Sequence, residues 1–141
     1  MIIMKKNLFA ASFISVSMFL IIIVFGFKNN DMQKPWPVPD NYKNMKNPVP
    51  SNEESLKTGK SLWSTHCKSC HGTKGMGDGP KAAQLKTESG DFTKASVQAQ
   101  CDGSLFYKTT EGREDMPNFK KKIPDAEERW ALVNYMRTFK K

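Results

Sequence analysis

The sequence predicts an all-α fold, and three observations carry that prediction. Residues 51–72 and 123–141 each place apolar residues at three- and four-residue intervals, the spacing of a single helix face. Both segments open on a helix-capping pattern. Between them lies no convincing strand run, because the chain there is short of Ile and Val and rich in glycine connections.

The first helix is contained in "SNEESLKTGKSLWSTHCKSCHG", where Ser51 and Glu54 form a capping-box pattern with acids at the positive helix end. Leu56, Gly59, Trp63 and Cys67 share one face. Glycine in a helix interior costs roughly 1 kcal/mol against alanine, so Gly59 marks a place where another backbone comes close. A shorter helix is expected from residue 102 to about residue 110, stopped by Gly112. The last helix lies in "IPDAEERWALVNYMRTFKK": Pro124 precedes an Asp125 N-cap, Glu128 stands at N3, and the final turn is basic. Leu132, Tyr135, Met136 and Phe139 form its apolar stripe, the expected partner of Gly59.

Three regions divide the 141 residues. In residues 1–27, Lys5 and Lys6 precede an uncharged apolar run. Residues 8–27 would make about 30 Å of helix, enough to cross a bilayer. A basic start before an apolar run also describes a signal peptide, and the two readings stay open. The run exceeds the roughly 7–15 residues of a signal core, and no A-x-A-like site follows it, which favours a retained anchor. Only Val24-Phe25-Gly26 offers a weak cleavage site. The expected location is the cytoplasmic membrane with the folded part on the periplasmic face, or the periplasm itself after cleavage. Lys28 beyond the run opposes the positive-inside bias of Lys5 and Lys6.

Residues 28–50 hold five of the eight prolines and read as a semi-stiff tether. The alternative is an ordered arm lying across the domain with Trp36 docked. Residues 51–141 form the one folded domain, small enough to benefit from a large apolar cofactor at its centre. The net charge of +8 owes part of its excess to Lys5, Lys6 and Lys28. A basic surface suits an acidic protein or anionic lipid, and export sets nucleic acid aside.

The chain has three cysteines and two histidines, and residues 67–71, "CKSCH", hold two of the former and one of the latter. C-x-x-C-H is the spacing for covalent haem attachment. Cys67 and Cys70 stand one helical turn apart, as addition to both vinyl groups of one porphyrin requires, and His71 follows where its imidazole can reach the iron. A structural zinc site built on Cys67, Cys70, Cys101 and a histidine is the first rival, weakened because no second C-x-x-C or H-x-x-H pair is present. A thioredoxin-like redox pair is the second, and its strand–helix context is missing.

A haem iron held by His71 has a second face to fill. His66 is tied to the proximal side by Cys67, which leaves the eight methionines. Met1, Met4 and Met18 belong to the export segment, and Met32 and Met45 to the tether. Met136 lies on a helix stripe, and Met76 is too near His71 to cross the porphyrin plane. Met116 remains, in "TTEGREDMPNFKKKIP", where Pro117 denies the chain a helix and lets the thioether project from a loop.

With "CKSCHG", "GMGDGP", the "MP" loop and "LVNYM" in the final helix, residues 51–141 resemble the class I c-type cytochromes. The resemblance implies a small fold of about three to five helices around one covalently bound haem c per chain. It implies that Gly59 and Trp63 pack against Leu132 and Tyr135, and that the carbonyl of Pro80 accepts the Nδ1–H of His71. Cys101 falls outside the pattern; it could pair between chains, be modified, or stay unpaired.

Iron ligated by both His71 and Met116 has no vacant position, so the expected function is one-electron transfer between respiratory redox partners, not catalysis. Lys68, Lys74, Lys81 and Lys120 to Lys122 would rim the haem crevice and steer acidic docking faces. Two alternatives stay open: a fixed haem subunit of a larger membrane oxidoreductase complex, and a haem enzyme or sensor should Met116 not be a ligand.

Overall fold

The computed structural model describes residues 35–141; the apolar run of residues 8–27 lies outside them. Residues 35–141 lie in one compact unit. Among the described residues the architecture is helical, with no strand and one isolated antiparallel bridge between Arg113 and Met116. No helix among these residues is long and apolar enough to cross a membrane.

Helix α1 spans Asp40–Lys43, and α2 spans Glu53–Leu62. The capping box of α2 sits one residue beyond the expected one. Asn52 is the N-cap, its side chain accepting from the Ser55 amide at 2.9 Å, while Ser55 Oγ accepts from the Asn52 amide at 3.1 Å. Ser55 wins over Glu54 because its short hydroxyl also donates to the Pro50 carbonyl at 2.8 Å and is buried there. A π-helical turn, Trp63–Cys67, carries α2 into α3, Lys68–His71, which Gly72 ends at φ 79°. The wider turn keeps Trp63 and Cys67 buried on the same side.

A 3-10 turn at Ala82–Gln84 and the short α4, Ala95–Gln98, lead to α5, Asp102–Glu111. Helix α6, Ala126–Arg137, starts on Asp125, whose carboxylate accepts from the Glu127 amide at 2.8 Å. Among the described helices, α2 and α6 make the most extensive contact. Gly59 allows it: a Cβ there would lie 2.3 Å from the Ala131 carbonyl oxygen and 2.7 Å from Tyr135 Cβ. Leu132 and Met136 of α6 are buried in the core with Trp63, Leu105, Phe106 and Ile123, and Phe106 stacks on Trp130 at 4.0 Å.

Over residues 35–50 the alternative to a semi-stiff tether is what forms, an arm packed on the domain. Val38 is buried, and Tyr42 packs on Tyr107 of α5 with ring centres 4.8 Å apart. Asn47 donates to the Trp130 carbonyl at 3.1 Å, and Asn134 donates back to the Val49 carbonyl at 3.0 Å. The prolines keep residues 35–39 and 48–50 out of helix on either side of α1, and the apolar and amide side chains between them supply the docking that composition alone conceals.

Candidate haem site

Four of the residues singled out from the sequence line one cleft: Cys67, Cys70, His71 and Met116. The π turn and α3 deliver the first three. Cys67 is buried and Cys70 half-buried, and neither is in a disulfide. Burial, helped by Cys70, pushes the Cys67 thiol up to about 12. A redox-active pair needs a lowered thiol pKa, so this environment speaks against the thioredoxin-like reading. Among the described residues no three His, Cys, Asp or Glu side chains gather to hold a metal ion, and exposed Cys101 lies away at the start of α5, which removes the zinc reading.

His71 stands in an aromatic wall, with Trp63 at 5.6 Å and Phe92 at 5.2 Å between ring centres. The indole of Trp63 donates to the Gly72 carbonyl at 3.0 Å, which ties the aromatic wall to the end of α3. Burial lowers the proton affinity of His71, opposed by the backbone of Ser89, so the imidazole is neutral and able to donate electrons to a metal. Its Nδ1 is buried and has no hydrogen-bond partner, so the bond expected to the Pro80 carbonyl is not formed here. Pro80 is nonetheless held beside this turn, because its neighbours Gly79 and Lys81 donate their amides to the carbonyls of Cys70 at 3.1 Å and Ser69 at 2.8 Å.

Met116 closes a four-residue hairpin with Arg113: each donates its amide to the other's carbonyl at 2.9 Å. Glu114 takes φ 52° at the tip. Gly112 makes the entry possible, since a Cβ there would lie 2.5 Å from the Met116 carbonyl oxygen. Asp115 anchors one flank by accepting from the Lys86 amide at 2.7 Å and the Thr87 amide at 3.2 Å. On the other flank the Arg113 guanidinium lies 4.5 Å from the centre of the Trp36 ring. Met136 also lines the cleft while belonging to the core, and Met76 is exposed elsewhere.

The rest of the wall is largely apolar, with Leu85, Phe92, Val97, Leu105 and Phe119. Including its open mouth the cleft measures about 1120 Å³. Lys108, lowered by burial and then by Arg113 against an opposing effect of Cys101, also faces it. Trp36, Asp115 and the loop of residues 85–90 were not singled out as site residues from the sequence; a hairpin pinned by Gly112 next to a Met-Pro pair was the available signal for Asp115.

Residues 54–136 match the family described as cytochrome c oxidase, cbb3-type, subunit III. The chain belongs to this family of class I c-type cytochromes. Among solved structures, the cytochrome is similar to a chain of the Kuenenia stuttgartiensis reducing HAO-like protein complex Kustc0457/Kustc0458. That match has 26% identity and a TM-score of 0.62, over 78% of this chain and 53% of that one. The cytochrome therefore spans about half the length of that relative. It is also similar to the KustC0563 c-type cytochrome, at 36% identity and a TM-score of 0.52, over 59% of this chain and 98% of that one. No curated protein matches.

Membership means that the cytochrome carries covalently bound haem c and works by haem-based electron transfer. Its cleft fits that group. The residues that could hold it are two thiols one turn apart, an imidazole and a thioether, with Leu85, Phe92, Val97, Leu105 and Phe119 in the wall around them.

Proposed function

We propose that this cytochrome is a one-electron carrier in which Cys67 and Cys70 would form the thioether links and His71 and Met116 would hold the iron. The observation that carries the reading is the convergence of these four side chains on one cleft. Haem supplies the Fe(II)/Fe(III) couple. His71 offers a neutral nitrogen, and the carbonyl of Pro80, held against the same turn, is the acceptor that would orient its Nδ1–H. The soft sulfur of Met116 favours the ferrous state and raises the reduction potential relative to a second histidine. With both ligands in place no position is left for a substrate or gas. Carbon monoxide added to the native ferrous protein should bind slowly, limited by displacement of sulfur. Rapid, complete binding would instead support an enzyme or sensor.

Donor and acceptor are redox proteins with acidic docking faces. Lys68, Lys74, Lys81, Lys120, Lys121 and Lys122 are all exposed, as a basic docking face requires, and Lys68 adjoins Cys67 of the cleft. Residues 8–27 are the membrane anchor in this reading, with the haem domain on the periplasmic face. N-terminal sequencing of the mature protein checks this, and a start near Phe27 would make it a soluble periplasmic carrier. The family description and the similar chain within a protein complex favour one second reading, a fixed haem subunit of a larger oxidoreductase. Purification in mild detergent separates the two: a subunit co-purifies with stoichiometric partners and a carrier does not.

A further inference from the structure

Among the described residues, the arm that precedes the haem domain reaches the cleft at Trp36. Trp36 lines the cleft together with Met116, Arg113 and Lys108. The Arg113 side chain makes two contacts with the arm: its guanidinium lies over the Trp36 ring at 4.5 Å, and Nη1 donates to the Pro35 carbonyl at 2.9 Å. Lys108 approaches the same ring at 5.6 Å. Arg113 is also the residue whose backbone pairs with Met116 through two hydrogen bonds of 2.9 Å. The arm and the methionine thus meet in a single residue, one through its side chain and the other through its main chain.

We propose that Trp36 is a positioning residue for Met116: the docked arm grips Arg113, and through it holds the hairpin so that the thioether stays on the iron. The inference rests on Met116 being the ligand. Arm and loop divide the work. Asp115 fixes the hairpin to residues 86 and 87, and Trp36 with Pro35 fixes the opposite flank. A hairpin of four residues with a left-handed tip has few internal bonds, so these two outside grips add to its rigidity. The contact needs a flat aromatic face opposite a flat guanidinium, which Phe retains and Ala lacks. The arm's own docking does not depend on Trp36, because Val38, Tyr42 and Asn47 hold it further along.

The test uses the full-length haem-loaded protein and three readouts: the rate of carbon monoxide binding to the ferrous form, the sulfur-to-iron charge-transfer band of the ferric form, and hydrogen exchange at the Arg113 and Met116 amides. Trp36→Ala should speed carbon monoxide binding on the order of tenfold. It should also weaken the sulfur band and accelerate exchange at both amides, with haem content unchanged. Trp36→Phe should restore most of each signal. If Trp36→Ala does not fold, Arg113→Lys, which keeps the charge but loses the flat face, reads the same contact and should show the same changes. Met116→Ala run alongside separates the two claims. Open iron in Met116→Ala with no change in Trp36→Ala or Arg113→Lys overturns the positioning role and leaves the ligand in place. Native iron that is already open, with Met116→Ala unchanged, overturns both.

Discussion

His71 shows how one residue's surroundings set its chemistry. In the chain without haem its pKa lies below the ordinary 6.5 because burial penalises the imidazolium, and ligation to iron would hold the ring unprotonated in the same direction. The sign for stability follows: the native state keeps the neutral ring, whereas the unfolded chain takes up a proton as pH drops below about 6.5. The stabilising contribution is therefore complete above that pH and lost as pH falls through it towards the lowered folded value. Denaturant midpoints measured at about pH 7.5 and about pH 5.5 should show the lower value at acid pH. An unchanged midpoint would mean that the ring is protonated or exposed in the native state. The residues of this site were legible because covalent attachment demands a spacing found nowhere else in the chain: Cys67, Cys70 and His71 could be read directly. Met116 was reached by elimination and a neighbouring proline. The cap shift from Ser51 to Asn52 was not legible, because both residue types cap well and the choice depends on where the Ser55 hydroxyl is buried.

Among the elements, the contact of α2 with α6 decides the shape of the cleft, since Trp63 at the end of α2 packs on Phe139 at 4.8 Å and on Phe92 at 5.3 Å. Gly59 is the point of closest approach. Gly59→Ala would gain roughly 1 kcal/mol of helix propensity. It would also force a methyl to within 2.3 Å of the Ala131 carbonyl oxygen, a backbone atom that cannot rotate away. Overpacking of this kind costs about 1–3 kcal/mol and should win. The unfolding midpoint of the variant should drop, and a rise would mean that the helices separate at little cost. Both helices and their mutual contact were readable from apolar spacing, capping residues and one costly glycine. The π turn was not, because a four-residue interval between Trp63 and Cys67 suits an α-helix as well. The docking of residues 35–50 was legible only as the alternative to a tether, because Tyr42 and Asn47 find partners on α5 and α6 that are remote in sequence.

For the whole molecule, charge and ligation together define the work. The chain carries 22 basic against 14 acidic residues, and the exposed lysines at Lys68, Lys74, Lys81 and Lys120 to Lys122 would give a basic docking face. Electron transfer to an acidic partner should slow as ionic strength rises, because screening shortens the reach of that attraction to about 8 Å at 0.15 M. A rate that is indifferent to salt would remove electrostatic steering from the mechanism. Carrier function itself depends on the second iron ligand, and the reduction potential of Met116→Ala, measured against Met76→Ala, tests it most directly. His71 and Met116 ligation predicts that Met116→Ala keeps its covalent haem but titrates at a distinctly lower potential, while Met76→Ala, altered at an exposed turn, titrates like the native protein. Equal potentials in the native protein and Met116→Ala, with an unchanged spectrum, would contradict it.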